Sequence, residues 1–327
     1  MKPVISVVVP MHNEEANLTP FYDRVSAVLT SIGEPWEIVC VDDGSRDATI
    51  AGLVALNRRD PRVKVIGLSR NFGKEAALTA GLDHASGDAV VPLDADLQDP
   101  PELIVEMVGK WREGYDVVNA TRRSRQGETW LKRATASAFY RTIGGMTTIG
   151  IPRDTGDFRL LTRPALDALK RMPERNRFMK GLFAWVGFRQ TSILYDRAPR
   201  HAGESQFSYG RLWKLAIDGI TSFSSWPLRI WSYLGATIAL FAFLYASFLI
   251  VRTIVYGVDV PGYASLMVVV LFVSGVQLIG LGVLGEYLGR VFDEVKNRPL
   301  YLVHRTWGIG AAPADPAPGT GTPPAGP

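Results

Sequence analysis

The chain has 327 residues, of which 47% are hydrophobic and 21% charged. That balance excludes global disorder and supplies enough apolar material for a large packed domain plus further elements. A net charge of +4 suits contact with phosphates or anionic lipid without selecting a partner, and a single cysteine excludes an internal disulfide.

The N-terminal apolar run 4–10 is too short for the hydrophobic region of a signal peptide, and none is expected. Short β-rich runs at 5–10, 37–42, 63–68, 89–93 and 116–120 alternate with helical patterns at 17–31, 47–57, 74–85 and 101–113. Such alternation predicts a mostly parallel sheet covered by helices on both faces. Ligands of such sheets sit outside the carboxyl ends of the strands. Asn13, Asp42, Asp43, Asp94, Asp96 and Arg122 each follow a predicted strand, so distant stretches of sequence should deliver polar groups to one edge. Cys40 lies inside one of these runs and reads as a buried structural residue.

Residues 123–200 are less regular. They open on a basic stretch with Arg122, Arg123, Arg125, Lys132 and Arg133, pass through Gly144-Gly145, and reach Thr155-Gly156-Asp157-Phe158-Arg159. The aromatic-rich stretch 208–223 reads as an amphipathic helix at a membrane surface. Segments 230–251 and 260–285 contain no charged residue, and each is long enough to cross a hydrocarbon core of roughly 30 Å. The alternative is a pair of buried helices in a soluble core. Arg211, Lys214 and Arg229 precede the pair, and Arg290, Lys296 and Arg298 follow it, which predicts both flanks in the cytoplasm and the connector 252–259 on the far side. The expected organisation is a catalytic domain over 1–207, an interfacial region over 208–229, and membrane helices over 230–256 and 260–285. A cytoplasmic juxtamembrane segment, 286–307, and a Pro/Gly-rich disordered tail, 308–327, complete it.

The densest polar motif is Asp94-Ala95-Asp96-Leu97-Gln98. Two carboxylates at i and i+2 share a face in an extended strand, and a third oxygen completes a set that can hold Mg²⁺ or Mn²⁺ against a diphosphate. Such an ion neutralises a diphosphate leaving group. Asp96 is the better direct ligand, Asp94 either ligates or reaches a ribose or metal-bound water, and Gln98 and Asp99 add an oxygen or orient the site. A bare Asp-x-Asp is equally a solvated acidic turn before Pro100-Pro101. Its place after Val90-Val91-Pro92-Leu93, in step with Asp42-Asp43, favours the ligand reading. Asp42 can accept hydrogen bonds from a base or ribose while Ser45 or Asp47 caps the next helix. His12 reads as a loop residue, with no second His placed to complete a zinc site. Arg70-Asn71-Phe72-Gly73-Lys74 sets two cations beside a glycine turn and a helix start, either an anion site or an ordinary surface loop.

Together, Pro10…Asn13-Glu14-Glu15, Val41-Asp42-Asp43-Gly44-Ser45, Arg70-Asn71-Phe72-Gly73-Lys74 and Asp94-Ala95-Asp96-Leu97-Gln98-Asp99-Pro100 resemble glycosyltransferase family 2. Gly156-Asp157-Phe158-Arg159-Leu160, Arg200…Gly203-Glu204-Ser205 and Gly285-Glu286-Tyr287-Leu288-Gly289-Arg290…Arg298-Pro299 resemble its polyprenyl-phosphate branch, which includes dolichyl-phosphate mannose synthases and bactoprenol glucosyltransferases. The resemblance implies a GT-A fold, a Rossmann-like mostly parallel α/β sheet, followed by two C-terminal transmembrane helices, in a homo-oligomer for which a tetramer is one option. It implies Pro10, Asn13, Glu15, Asp42, Asp43, Lys74, Asp94 and Asp96 at the nucleotide-sugar donor. It implies Asp94, Asp96 and Gln98 at the metal, and Arg122, Arg159, Arg200 and Ser205 at the acceptor phosphate. Asp157 matches the proposed catalytic carboxylate, alongside Asp96. The chain departs from the pattern at Ser205-Gln206-Phe207, where relatives often carry Ser-Lys-Tyr, which leaves Arg200 and its neighbours to supply the charge.

The implied reaction is an inverting, metal-dependent transfer of a hexose, UDP-glucose favoured as donor, to a polyprenyl phosphate at the cytoplasmic face of the plasma membrane. Nucleic acid is not an expected partner. GDP-mannose and other UDP-sugars stay open as donors. A processive polysaccharide synthase lacks support because no Gln-x-x-Arg-Trp string occurs, and Asp94, Asp96 and Asp157 argue against a non-catalytic scaffold. A phosphate monoester with a second pKa of about 6 is already anionic at pH 7, so it hardly needs a general base. Asp157 is therefore expected to orient the acceptor or Arg159, or to stabilise oxocarbenium-like charge. The alternative is a structural carboxylate paired with Arg159. Deletion from Ile230 onward is expected to spare nucleotide binding and to cut transfer to long-chain lipid.

Overall fold

The computed structural model describes residues 2–123, 155–172, 174, 179–196, 226–256 and 262–309. Its centre is an eight-stranded sheet in the order β7-β5-β6-β4-β1-β2-β3-β8. The strands are β1 Ile5–Met11, β2 Trp36–Asp42, β3 Val63–Leu68, β4 Ala89–Pro92, β5 Val117–Arg122, β6 Thr155–Thr162, β7 Gln190–Tyr195 and β8 Val303–Trp307. β1 through β5 and β7 run in one direction. β6 opposes both of its neighbours, β4 and β5, and β8 opposes β3.

The central strands are buried on both faces, as a helix-covered parallel sheet requires. Ile5, Val7, Val9 and Met11 of β1 point to one cluster, together with Phe21, Val25 and Leu29 of α1 (Leu18–Ile32), Leu53 of α2 (Thr49–Arg59), and Ile104, Met107 and Val108. Val8 of β1, with Val39 and Val41, points to the other, against Ala77, Leu78 and Leu82 of α3 (Lys74–His84). α4 (Leu103–Arg112) thus shares the first face with α1, while α5 (Arg163–Lys170) and α6 (Met179–Trp185) join α3 on the second. Cys40 is buried mid-strand in β2, where burial pushes its thiol up to about 12, and it is chemically quiet.

Two details of the sheet shape its carboxyl edge. The strand order reverses between β1 and β4, the position where open α/β sheets bind ligands. The ladder between β4 and β6 holds only Ala89↔Thr162 and Val90↔Leu161 and ends before Pro92, whose missing N–H cannot donate. Because β6 is antiparallel, its first residues, Thr155 to Asp157, lie at the same edge as the last residues of β4 and β5.

Two long helices follow, α7 (Trp226–Tyr256) and α8 (Tyr263–Val295). Trp231 of α7 packs over Gly280 of α8, 3.5 Å from where a Cβ would stand. Phe241, Leu244, Phe248, Phe272, Leu278 and Leu281 are each more than half exposed. Among the described residues, one stretch, Phe272–Val295, meets the length and composition of a membrane span, with mean hydropathy 1.3 and none of it buried. The first of the two spans expected from sequence, over 230–256, lies within the single helix α7.

The chain then returns to the sheet. Residues 303–307, expected within a juxtamembrane segment, form β8 on the free edge of β3, from Leu68↔Val303 to Val65↔Trp307. Trp307 covers Gly67 and the first core cluster, Tyr301 packs on the second, and its hydroxyl donates to Asp83 Oδ2 at 2.8 Å. Residues 301–307 are thus structurally part of the sheet domain, while 286–295 belong to α8. The stretches around Arg125–Arg133, Gly144-Gly145, Arg200, Ser205 and 208–223, all singled out in the sequence, lie outside the described residues.

Candidate active site

The loops after β1, β2, β3 and β4 meet at the carboxyl edge. Asn13, in a left-handed conformation (φ 56°) that asparagine tolerates, ties two of them together. Its N–H donates to Ser45 Oγ (3.0 Å), and its Oδ1 accepts from Arg46 N (2.8 Å). Glu15 Oε2 accepts from Ala48 N at 3.3 Å. Asn13 and Glu15, expected at the donor, tie the loop after β1 to the loop after β2. Asp47 Oδ1 accepts from Thr49 N (3.0 Å) just before α2, but the N-cap position itself is Ala48 and carries no side-chain cap, so neither Ser45 nor Asp47 caps this helix as expected. Pro10 sits half-buried in β1, paired with Val41.

Asp42 and Asp43 divide their work. Asp43 accepts from Phe72 N (2.7 Å) and Gly73 N (2.9 Å), so it fixes the loop that leads into α3. Gly44 must be glycine there: its φ is 62°, and a Cβ would fall 2.6 Å from Asn71 N. Asp42 Oδ2 accepts from Ser45 N (3.3 Å), whereas its buried Oδ1 has no hydrogen-bond partner among the described residues. Burial raises the Asp42 pKa, against the lowering effect of Ser45. A buried acceptor with an open valence at a strand end is what a ribose or base donor would satisfy. His12, read from sequence as a loop residue, donates from Nδ1 to Asp43 O at 2.8 Å and lies beside Asn13 and Asn71. The guanidinium of Arg70 stacks on Phe72, 4.0 Å from its centroid.

Lys74, the first residue of α3, is the hub. Its Nζ lies 2.7 Å from Asp94 Oδ1 and 2.9 Å from Asp157 Oδ2. Burial pulls its pKa down, but the two carboxylates outweigh that and the net shift is upward, so Lys74 stays cationic. The Asp94 pKa is raised, first by desolvation and then by Asp157 and Asp99, with Lys74 opposing. The site therefore holds a cation between two carboxylates drawn from opposite-running strands.

Asp94, Asp96 and Gln98 are partly exposed, while Ala95, Leu97 and Asp99 between them are buried. The alternation turns the three oxygen-bearing side chains to one side. Leu97 takes a left-handed φ of 54°, costly for a leucine and typical of functional loops. Gln98 N donates to Asp96 Oδ1 at 3.2 Å, and Gln98 Oε1 is buried with no hydrogen-bond partner among the described residues. No group of three His, Cys, Asp or Glu side chains forms a metal cage among the described residues. Mg²⁺ and Mn²⁺ do not require one, because substrate phosphates and waters complete their shells.

The family described as Glycosyl transferase family 2 matches residues 6–170, which covers every strand and loop described above except β7, β8 and the end of the domain. The chain belongs to glycosyltransferase family 2. It is a glycosyltransferase with the GT-A fold, and its C-terminal part, residues 226–291, matches the GtrB C-terminal hairpin. An uncharacterized glycosyltransferase of a Synechocystis strain is 60% identical over 95% of this chain and 98% of its own. A prophage-derived bactoprenol glucosyl transferase of Shigella flexneri is 49% identical over 92% of this chain and 98% of its own. Among solved structures, glucosyl-3-phosphoglycerate synthase from Mycobacterium tuberculosis, in complex with Mn²⁺, UDP-glucose and phosphoglyceric acid, aligns at TM-score 0.44 and 23% identity, over 67% of this chain and 78% of that one.

Within this glycosyltransferase, Arg122 and Arg159, both expected at the acceptor phosphate, differ from each other in placement. Arg122, at the end of β5, lies at the site edge beside Gly156. Arg159, expected at the acceptor phosphate, is only 2% exposed. Its Nη2 donates to Gly156 O (2.7 Å) and its guanidinium stacks on Phe183, 4.0 Å from the centroid. Burial lowers its pKa to about 10, with Asp157 opposing, so it remains a cation beneath the site and presents no face to an acceptor. Arg200 and Ser205 lie outside the described residues. Sequence reasoning missed Tyr195, whose hydroxyl donates to Asp99 Oδ1 and accepts from Arg122 Nε at 3.3 Å. No motif surrounds Tyr195; only its position at a strand end could have drawn notice.

Proposed function

We propose that this glycosyltransferase transfers a hexose, glucose first among candidates, from a nucleoside-diphosphate sugar to a polyprenyl phosphate, with inversion, at the cytoplasmic face of the plasma membrane. The observation that carries the reading is where the chain returns from α8. Seven residues separate Val295 from Val303, which pairs with Leu68 at the carboxyl end of β3. At about 3.5 Å per residue, that tether holds the end of α8 within roughly 28 Å of Leu68, on the carboxyl edge of the sheet that also bears Lys74, Asp94 and Asp157. An apolar helix ends close to a polar donor site, as an enzyme with a soluble donor and a lipid acceptor needs. The relatives named as bactoprenol glucosyl transferases support the same acceptor class.

Parity supports two spans. A bilayer cannot divide one β-sheet, and β1 to β7 share a sheet with β8. The segment between β7 and β8 therefore crosses a membrane an even number of times or not at all. If α8 spans, its partner is α7, and both flanks lie with the catalytic domain. The exposed apolar surfaces of both helices fit such a hairpin.

In this reading, Asp42 Oδ1 accepts from the nucleoside, and the Asp43-anchored loop shapes the wall beside it. Asp94, Asp96 and Gln98 form a hard oxygen set suited to Mg²⁺ or Mn²⁺. When bound there, the ion supplies charge neutralisation for the departing diphosphate. Lys74, released from Asp94 as the donor arrives, contributes its charge to the phosphates. Arg122 and the segment with Arg200 and Ser205 receive the acceptor phosphate. Asp157 orients the acceptor and stabilises positive charge developing on the sugar, because an anionic phosphate needs little help from a base. The protein assembles as a homo-oligomer.

Purified enzyme in detergent, given a panel of nucleotide sugars with and without polyprenyl phosphate, tests the proposal. Hexosyl-phosphoryl lipid should form with UDP-glucose and stop on chelation with EDTA. Product that persists without divalent ions, or transfer to no lipid phosphate at all, would overturn it.

A further inference from the structure

We propose that Tyr195 is a positioning residue for the donor site, a latch that holds the Asp94–Asp99 loop against the strands bearing Arg122 and Asp157. The inference rests on the donor-site reading above and adds a residue that reading does not use. Tyr195 ends β7 and is 5% exposed, so it cannot be a primary contact for a soluble donor. Its contacts reach three site-bearing elements. The hydroxyl donates to Oδ1 of Asp99, itself buried at the end of the loop after β4. The same oxygen accepts from Arg122 Nε at the end of β5 (3.3 Å). The ring meets Phe158, the neighbour of Asp157 on β6, edge-to-face with centroids 6.4 Å apart.

The latch has a physical purpose. The loop contains Leu97 at a left-handed φ, a strained conformation that persists only where surrounding contacts over-determine it. Asp99 lies two residues beyond Leu97, and its tie to Tyr195 anchors the far end of the strained turn. The near end is anchored by β4. The side chains between, Asp96 and Gln98, are the proposed ion ligands, so their geometry depends on both anchors. Burial, followed by Asp99, pushes the Tyr195 hydroxyl up to about 12, so it remains a donor throughout the physiological range.

The test uses full-length enzyme and two matched variants. Tyr195→Phe removes the latch hydroxyl and keeps the ring. Tyr22→Phe removes a hydroxyl that also donates to a carboxylate, Asp60 Oδ2 at 2.8 Å, at the far side of α1. Hydrogen exchange without ligands reports the loop directly. Tyr195→Phe should accelerate exchange in peptides covering 94–99, and Tyr22→Phe should leave them unchanged. Calorimetry of UDP binding against Mn²⁺ concentration gives the second readout. A hydrogen bond to a charged group is worth about a tenfold effect or more, so Tyr195→Phe should raise the half-saturating Mn²⁺ concentration at least about tenfold, with no change in Tyr22→Phe. Unchanged exchange at 94–99 in Tyr195→Phe overturns the latch. If wild-type enzyme binds UDP without regard to Mn²⁺, the donor-site reading fails while the exchange result still decides the latch.

Discussion

Removing the residues after Pro299 should cost the enzyme its donor site, although every helix and every proposed site residue would remain. The perturbation is a stop at Leu300, which deletes β8 and leaves α7 and α8 intact. It exposes the edge of β3, where Val65, Ile66 and Leu68 are buried, and removes the carbonyl of Leu302 that accepts from Ser69 N at 2.9 Å. Ser69 immediately precedes the Arg70–Lys74 loop. A point variant sizes the effect. Complete burial of a tryptophan makes Trp→Ala worth about 3–5 kcal/mol, and half-buried Trp307 should cost roughly 2–3 kcal/mol. That is a fall in Tm of roughly 5–10 °C for a domain of this size. The stop at Leu300 should go further and abolish nucleotide binding in calorimetry. Replacing 226–295 by a flexible linker while keeping 300–309 should spare nucleotide binding and eliminate transfer to long-chain lipid. Deletion from Ile230 onward, expected from sequence to spare nucleotide binding, conflates the two effects because it also removes β8. A chain stopped at Leu300 that melts as wild type and binds nucleotide with unchanged affinity would refute the reasoning.

Other variants probe the remaining parts. Asp94→Asn should lower transfer on the order of 10²-fold or more, since it removes an ion ligand. Its stability should move the other way. The Asp94 pKa is raised in the fold, so its favourable contribution is complete below the ordinary carboxylate pKa and is lost as pH rises through the folded value. At pH 7 the Asn variant should melt no lower than wild type, and a clear drop in Tm contradicts the assignment. Asp157→Asn should lower kcat with a pH–rate profile of unchanged shape, whereas loss of an acidic limb identifies a general base. For topology, the quiet Cys40 makes single-cysteine labelling straightforward. Val258→Cys should react in intact cells with an impermeant maleimide and Lys2→Cys only after lysis; equal reaction of both before lysis rules out the hairpin.

The alternating half of the chain was legible because buried parallel strands write themselves as short apolar runs. The first five strands and four helices fall within about two residues of their expected bounds, and the polar residues after those strands do meet at one edge. β6, β7 and β8 were not legible. β8, Val303-His304-Arg305-Thr306-Trp307, is an edge strand whose first three residues are exposed and which carries two cationic or titratable side chains, so no apolar run marks it. Asp157 was read as a motif residue without an element. Only the reversed direction of β6 explains why a residue at the start of a strand joins residues at the ends of others. Lys74 was expected to contact the donor, but its bridge from Asp94 to Asp157 depends on that same reversal. Arg159 carries the same outward motif as Asp157, yet the packing of β6 against α6 buries it on Phe183. Local sequence specified which groups arrive at the edge; the long-range pairing of β4, β6 and β8 decided how they face one another.

The central claim is transfer from a nucleotide sugar to a lipid phosphate, and the most direct measurement is mass spectrometry of the lipid after incubation of the full-length enzyme with UDP-glucose, polyprenyl phosphate and Mg²⁺. The account predicts a product heavier than the acceptor by one hexosyl unit, absent with EDTA and absent in Asp94→Asn. Donor consumed with the lipid phosphate unmodified, or an oligosaccharide chain in place of a single sugar, would contradict it.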